Sequence, residues 1–441
     1  MKGSRIMADT TAKEAKISMK VIVDKVKKRV VYAEADHTFV DILFSFLTLP
    51  MGTIVRLLGK HDDTELEVLG SLNNLYQSLK NFPECYLATE DSKFMLLNPR
   101  SLSYYHTKNL KLKIDDTEPM KYFGCRYHLC ENVNKFMLCK NVPGKDFSFR
   151  RCGSCNLMME LTHVYWDSSY SFVSSGASVF VSDIETYIVT DDLCVEPYTS
   201  AISIRLLADF GITDMNHLEE RSIEMSSYQM LHFLKTALSI VYPLTYLVFS
   251  IIKYPVRELL GDGQDFTVDQ CSLLKKDVSA CSKMRLEVSL QKSTGRLLFA
   301  EAKEDFVEFL FGFLSIPLGT IIGTLMNGAS SFSCMDNVYK SISNVFPLKG
   351  VPARLSEQHK DPRIDGSLLK HNGMFMVTDD LKISPSNSSS TIDILKTLEV
   401  LPKDIERHEV SFGLKEGLIM LNASLDSCST LTRSLEHQFK K

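Results

Sequence analysis

The sequence lacks the short motifs by which many enzymes and nucleotide-binding proteins are recognised. It contains no GxGxxG or GxxxxGK[ST] phosphate loop, no GxSxG nucleophile elbow, no HExxH zinc motif and no kinase signature. Each of these motifs fixes a phosphate, a nucleophile or a catalytic metal in a defined geometry, so the sequence gives those chemistries no support. The formal net charge is only −4, which excludes an overall basic field that would attract nucleic acid.

Long apolar runs are missing as well. The uncharged stretch 236–252 has 17 residues and contains Pro243, whereas a membrane-spanning helix needs about 20 apolar residues. Residues 1–20 are polar and of mixed charge, which predicts no secretory signal. We therefore expect no membrane segment, a cytoplasmic or alternatively nuclear location, and reduced thiols at the 11 cysteines.

What the sequence does contain is an internal repeat. Residues 33–58 match residues 300–325 without a gap at 14 of 26 positions. Pro317 follows Pro50 by 267 positions, but Asp379 follows Asp191 by only 188. The first copy therefore contains roughly 75 residues that the second copy lacks.

The repeat predicts an α+β protein made of two homologous α/β-mixed units in tandem, related by a pseudo-twofold axis. We expect a flexible tail at 1–18, a first unit at 19–255 with a cysteine-rich, zinc-ribbon-like insert at about 99–179, a linker at 256–281 and a second unit at 282–441. Because the duplication could itself replace a homodimer, a monomer is favoured.

The apolar pattern predicts the same elements in each unit. A β-hairpin passes into an apolar helix that Pro50 or Pro317 ends, because proline clashes with the preceding helical turn. A second helix with a threonine cap and a third helix with a tyrosine follow. Strands are expected near residues 94–97, 186–189 and 374–377, before a closing helix.

The insert concentrates the cysteines, with five of the 11 between Cys125 and Cys155. A structural zinc ion takes four nitrogen or sulfur ligands in a tetrahedron, and two short-loop pairs would supply them. The candidate ligands are Cys125, His128, Cys130, Cys152 and Cys155, and whether His128, Cys130 or Cys139 completes the site is open. Reduced thiols without a metal, or a redox CxxC, are the alternatives.

Two duplicated helix starts could bind an anion. Gly52 and Thr53 in the first copy correspond to Gly319 and Thr320 in the second. Backbone N–H groups at a helix N-terminus attract phosphate or carboxylate groups. The alternative interpretation is a tight helix–helix corner.

Duplicated acidic residues are the other candidates for chemistry. The pairs Asp191–Asp192 and Asp379–Asp380 follow a predicted strand in each copy and could hold a cation, although aspartates at strand ends are typically turn residues. Glu34 and Glu301 lie where the hairpin meets the helix, and acid–base work there would need a partner that the sequence does not locate. A salt bridge or a cap is the preferred interpretation.

The tandem arrangement, the run from Val30 to Leu58 and the later VTDDL segment resemble the plant family named domain of unknown function 674. The resemblance extends from about Lys16 to the C-terminus. It implies a plant source and a shared architecture, with no established activity and no catalytic residues. It also implies paired cysteines in the insert, which supports the zinc knuckle, although the first pair in this chain departs from a CxxC spacing.

Three functions remain open after these observations. The preferred hypothesis is a non-enzymatic module that binds a protein or a small ligand and holds structural zinc. The first alternative is an enzyme, with titratable residues of both copies converging in one cleft. The second alternative is nucleic-acid binding through basic residues of the insert, namely Lys108, Lys111, Lys113, Arg126, Arg150 and Arg151.

Overall fold

The structure is a computed structural model. It describes residues 15–60, 69–88, 90–99, 101, 107, 110–117, 122–124, 136–138, 155–157, 160–162, 179–181, 186–249, 283–345, 368–370 and 373–439.

The strands are β1 (Ile17–Asp24), β2 (Arg29–Ala35), β3 (Tyr122–Gly124), β4 (Phe136–Leu138), β5 (Glu160–Thr162), β6 (Tyr187–Thr190), β7 (Val195–Pro197), β8 (Leu218–Met225), β9 (Met284–Gln291), β10 (Leu297–Lys303), β11 (Met374–Thr378), β12 (Ile383–Pro385) and β13 (Ile405–Phe412). The helices are α1 (His37–Ser45), α2 (Met51–Gly59), α3 (Gly70–Asn81), α4 (Glu90–Leu97), α5 (Ser200–Asp209), α6 (Ser227–Ala237), α7 (Pro243–Phe249), α8 (Glu304–Gly312), α9 (Leu318–Thr320), α10 (Ser333–Val345), α11 (Ser388–Thr397), α12 (Leu414–Asp426) and α13 (Thr430–Leu435).

Two antiparallel sheets of five strands form the framework. The first has the order β7-β6-β2-β1-β8 and the second has the order β12-β11-β10-β9-β13. Each strand of the second sheet is the repeat counterpart of the strand at the same place in the first. The described residues thus confirm the predicted α+β class and the two-part repeat. A separate sheet with the order β4-β3-β5 belongs to the insert.

The hairpin that begins each unit turns at equivalent positions. Lys28 and its counterpart Gly295 both have positive φ angles, 49° and 68°. In the first unit the Asp24 carboxylate accepts hydrogen bonds from the N–H groups of Val26 and Lys27 and so stabilises the turn. Apolar side chains of β2 are buried on both faces of the sheet: Val30 and Ala33 belong to the main core, whereas Val31 and Tyr32 belong to a smaller cluster.

Two predictions of local structure were wrong. Residues 94–97 belong to α4 rather than to a strand, because a short apolar run fits both periods. The threonine caps are also absent, since α2 and α9 have Pro50 and Pro317 at the N-cap position. Thr53 lies within α2 and donates its hydroxyl to the carbonyl oxygen of Pro99, at 2.6 Å.

The hydrophobic core is continuous across the two units. One cluster of buried side chains includes Phe39 and Phe44 of the first unit together with Phe306 and Phe311 of the second. The third helix of each unit packs against the other unit: α3 contacts α8, α12 and β12, and α10 contacts α1 and β7. Smaller clusters under α5 and α11 cover part of the opposite face of each sheet.

The uncharged stretch that raised the membrane question divides into two helices. Helix α6 ends at Ala237 and α7 begins at Pro243. Within the described part of the chain, no helix has the length and apolar character to cross a membrane.

Candidate functional site

The first aspartate of each pair binds the beginning of a late helix in its own unit. The Asp191 carboxylate accepts hydrogen bonds from the N–H and the hydroxyl of Thr245 in α7, at 2.8 and 2.5 Å. Asp379 accepts the same two bonds from Thr432 in α13, at 2.8 and 2.9 Å. Each carboxylate therefore satisfies a backbone donor that the helix itself leaves free.

The second aspartate of each pair binds the other unit. The Asn337 side-chain amide donates to the backbone oxygen of Asp192 at 2.9 Å and to its carboxylate at 3.2 Å. Asn74 makes the matching bonds to Asp380, at 3.0 and 3.2 Å. These carboxylates thus join the two units, and their oxygen atoms are occupied by protein donors.

Burial shifts the titration of the groups around Asp191. It raises the pKa of the Asp191 carboxyl to about 6, against the opposing hydrogen bonds from Thr245 and the charge of Arg29. Burial also raises the pKa of the Cys194 thiol to about 11 and raises the pKa of the Cys334 thiol further. Both thiols are therefore protonated at neutral pH and are poor nucleophiles.

The raised pKa of Asp191 predicts a pH effect on stability. Its folded pKa of about 6 lies above the ordinary value of 3.8, so the group contributes stability that is fully present below pH 3.8 and is lost as the pH rises through 6. In the wild type this contribution lowers the free energy of unfolding by about 2–3 kcal/mol between pH 4 and pH 7. Asp191→Asn cannot titrate at this position, so its free energy of unfolding should fall by that much less over the same pH range. Denaturant titrations at several pH values measure this difference.

The control for this prediction is Asp404→Asn. Hydrogen bonds from Ser293 and Gln291 lower the pKa of Asp404, so this carboxyl contributes stability that is lost as the pH falls. Removing it should change the pH profile in the opposite sense. Identical profiles for wild type and Asp191→Asn would contradict the prediction.

Glu301 makes the salt bridge that the sequence favoured for it. Its carboxylate lies 3.7 Å from Arg407 and accepts a hydrogen bond from the Ser386 hydroxyl at 3.2 Å. Both contacts lie within the second unit, because Arg407 is on β13 and Ser386 directly follows β12.

The duplicated helix starts form a corner between the units. The N–H of Met51 donates to the oxygen of Ile316 at 3.0 Å, and the N–H of Leu318 donates to the oxygen of Leu49 at 2.9 Å. These two bonds are symmetry counterparts, and they flank a bridge between Pro50 and Pro317. Contacts between equivalent residues of this kind are typical of a twofold arrangement.

The glycines of the corner allow the two backbones to approach. A Cβ at Gly52 would lie 3.0 Å from the oxygen of Leu314, and one at Gly319 would lie 2.9 Å from the oxygen of Leu47. Thr53 is buried and Thr320 is exposed. The geometry describes a close helix–helix corner, and anion binding at these helix starts stays an untested prediction.

Most of the candidate zinc ligands lie outside the described residues, namely Cys125, His128, Cys130 and Cys152. Cys155 is described and half-buried. Among the residues that the structure describes, no group of three or more histidine, cysteine, aspartate or glutamate side chains could hold a metal ion. The zinc site therefore stays a prediction.

The insert is fastened to the first unit by an ion pair cluster. The Asp116 carboxylate lies 2.6 Å from the Arg56 guanidinium and also pairs with the Lys60 ammonium. Burial opposes ionisation of Asp116, but the hydrogen bonds and charges of Arg56 and Lys60 lower its pKa below the ordinary value. Leu112 and Ile114 of the same segment are buried in the core.

A small cavity lies beside this segment. It has a volume of about 30 Å³ and is lined by Ser45, Thr48, Leu49, Thr107, Leu110, Lys113, Ile114 and Asp115. One Asp115 carboxylate oxygen is buried and has no hydrogen-bond partner among the residues that the structure describes. The volume suits a water molecule, and it is far below the few hundred Å³ of a small-molecule site.

Comparison with known protein families assigns the chain. The model of the family described as a protein of unknown function (DUF674) matches residues 13–353 and 346–415. This chain belongs to the DUF674 family. The two matched segments agree with the two-part repeat of this DUF674 protein. No curated protein and no solved structure matches the chain.

A second pair of acidic residues that bind backbone N–H groups was not singled out from the sequence of this DUF674 protein. Asp41 in α1 accepts hydrogen bonds from the N–H groups of Val179 and Phe180, at 2.7 and 2.9 Å. Its counterpart Glu308 in α8 accepts the bond of Leu368 at 2.7 Å. A carboxylate at the same position of both copies, within the apolar part of the helix, was the available signal.

Proposed function

We propose that this DUF674 protein is a non-enzymatic intracellular plant protein whose cysteine-containing insert recognises another protein. In this proposal the two packed units form a rigid support, and the insert is the element that contacts the partner. Structural zinc, held by ligands among Cys125, His128, Cys130, Cys152 and Cys155, would keep the insert in one shape.

The observation that carries the proposal is a difference between the two copies at the residues that form the ion pairs with the insert. Arg56 of α2 and Lys60, which directly follows α2, bind Asp116 of the insert. In the second copy, which lacks the insert, the counterparts are Gly323 and Asn327. The fastening residues therefore accompany the insert and are missing where it is missing.

The neighbouring tyrosines show the same difference. The Tyr76 hydroxyl of the first unit donates to the oxygen of Leu97, at 3.1 Å, just before the insert begins. Its counterpart Tyr339 instead lies over Gly323, where a Cβ would come within 2.3 Å of the tyrosine ring. The ring of Tyr339 thus occupies the space that a side chain at position 323 would need. This exchange supports the view that the first unit is adapted to hold the insert in place.

The strength of this attachment can be estimated. Arg56 is mostly buried, with 14% of its side chain exposed, whereas Asp116 is 39% exposed. Charge-assisted hydrogen bonds contribute about 1.5–3 kcal/mol when desolvated, and partial exposure reduces that figure. Loss of Arg56 should therefore loosen the insert without unfolding the two units.

The test compares partner capture and zinc content in three full-length proteins. Wild type should contain about one zinc per chain and crosslink a reproducible set of proteins in plant extracts. The Cys152→Ser, Cys155→Ser variant should lose both the zinc and the crosslinked set. Arg56→Ala should keep the zinc and lose most of the crosslinked set, because the insert is no longer fixed in position.

The matched control is Arg221→Ala. Arg221 pairs with Glu219 on its own strand, β8, so its loss should leave zinc content and crosslinking unchanged. Crosslinking that survives in both insert variants would overturn recognition through the insert. Wild type without zinc, when purified under reducing conditions, would overturn the zinc knuckle.

A further inference from the structure

The strongest unexplained pattern in the molecule is the reciprocal packing of α3 and α10. Asn74 and Ser78 of α3 bind the second unit, and their counterparts Asn337 and Ser341 of α10 bind the first. The asparagines reach the second aspartate of each pair. The serine hydroxyls accept hydrogen bonds from the N–H groups of Ile383 and Val195, at 3.0 and 2.9 Å.

From this reciprocity we infer that each unit carries a docking site for the third helix of another copy of the unit. In this chain α3 of the first unit occupies the site on the second unit, and α10 of the second unit occupies the site on the first. The chain is therefore equivalent to a dimer of units that exchange their third helices and are joined covalently. The partner that fits each site is therefore a second copy of the repeat, supplied here by the same chain. The inference is independent of the function proposed for the insert.

The docking sites use backbone groups that only a correctly placed helix can satisfy. Val195 lies on β7 and Ile383 lies on β12, each of which is one of the two edge strands of its sheet. The N–H group of each residue donates to the other unit rather than to a strand of its own sheet. The serine oxygen of the other unit's helix accepts that N–H and takes the place of a neighbouring strand. An edge strand without such a partner exposes unpaired backbone groups, so each unit is incomplete without the helix of another copy.

The contact between the units continues beyond α3. Residues 86–88 pair with residues 368–370 through the bond from the Ala88 N–H to the oxygen of Leu368, at 2.9 Å, and the bond from the Lys370 N–H to the oxygen of Tyr86, at 2.8 Å. Phe82 inserts its ring beside Phe311, with 5.4 Å between the ring centroids. The first unit therefore contributes a helix and an extended segment to the second.

One position distinguishes the two docking sites. The Ser71 hydroxyl donates to the oxygen of Ser427 at 2.6 Å and accepts from the Thr430 hydroxyl at 2.8 Å. The counterpart of Ser71 is Cys334, whose thiol donates to the oxygen of Ile240 at 3.2 Å. Pro243 stands where the second unit has Thr430, so that the first unit offers no hydroxyl there. Helix α3 thus fits the site on the second unit better than the site on the first, and the reverse holds for α10.

The experiment cuts the full-length, folded protein between the units. A protease recognition sequence is inserted after Gly263, in the segment that joins β8 and its following helices to β9, and the purified protein is then cleaved. The two halves should still elute together at micromolar concentration. Their thermal midpoint should rise with protein concentration after cleavage and be independent of concentration before it, because cleavage makes the docking bimolecular.

Substitutions in the cut protein test the docking residues. Asn74→Ala and Asn337→Ala should each raise the dissociation constant of the halves about tenfold, since each removes hydrogen bonds to a backbone oxygen and to a half-buried carboxylate. Ser78→Ala and Ser341→Ala, which remove a single acceptor each, are the milder variants if the asparagine variants do not fold. Asn216→Ala, at an exposed position of the first unit, is the matched control and should leave the constant unchanged.

Two results would overturn the inference. Halves that separate at micromolar concentration without denaturant, or that unfold at two independent temperatures, would mean that each unit is complete alone. Docking variants that bind as tightly as the Asn216→Ala control would mean that the association does not depend on the exchanged helices.

Discussion

Replacing Phe82 by alanine should lower the free energy of unfolding of the whole chain by about 3–5 kcal/mol, the range for a fully buried phenylalanine. Phe82 follows α3 directly and is 2% exposed. Its ring lies 5.4 Å from both Phe311 and Phe375 of the second unit, perpendicular to the first of them. The substitution would therefore leave a cavity between the units and remove two aromatic contacts.

The measurement is denaturant unfolding followed by circular dichroism. Because the core is continuous across both units, we expect one transition that shifts as a whole, with an unchanged slope. Tyr198→Ala is the control, since Tyr198 is a 41% exposed aromatic residue and its loss should change stability by less than about 0.5 kcal/mol. A separate early transition of one unit in Phe82→Ala would contradict the shared core.

Gly70→Ala is expected to be nearly as destabilising, by about 2–5 kcal/mol, although it adds only a methyl group. Gly70 begins α3 with a φ of +37°, and a Cβ there would lie 2.8 Å from the backbone nitrogen of Ser427 and 2.9 Å from the backbone oxygen of Ser424. The left-handed backbone costs an alanine about 1–2 kcal/mol, and overpacking against rigid backbone adds about 1–3 kcal/mol.

Gly59→Ala provides the matched control for Gly70→Ala. Gly59 ends α2, and a Cβ at this position would meet no atom within 4 Å, so alanine there should be neutral or stabilising by up to about 1 kcal/mol. Thermal unfolding of the two variants side by side measures the difference. Equal midpoints would show that the contact between α3 and α12 tolerates a side chain.

The repeat made a large part of the fold predictable. The hairpins, the helices ended by Pro50 and Pro317, and the closing helices all follow from local periodicity and proline geometry, and they occur at the expected places. Residues 94–97 were wrongly predicted as a strand because a four-residue apolar run does not distinguish helix from strand. Thr53 was wrongly predicted as a cap because its hydroxyl binds Pro99, which lies 46 residues away in the chain.

The exchange of third helices could not be derived from periodicity. A helix that packs on a neighbouring unit has the same apolar stripe as one that packs on its own unit. The apolar patterns of α3 and α10 therefore do not indicate which unit each helix packs on. The only indication of the exchange in these two helices was a pair of repeated polar residues, Asn74 with Asn337 and Ser78 with Ser341. Polar residues repeated on one face of a helix indicate a shared hydrogen-bonding partner, but they do not say on which unit it lies.

The reciprocal packing has a consequence for synthesis of the chain on the ribosome. Ser71 at the start of α3 and its partner Ser427 are separated by 356 residues. At about 5–20 residues per second, roughly 20–70 s pass between the translation of the two. During that time the apolar face of α3 has been made while its final binding surface has not. Until the second unit has been synthesised, the side of α3 that packs on α8 and α12 is therefore exposed, and it can associate with other exposed apolar surfaces.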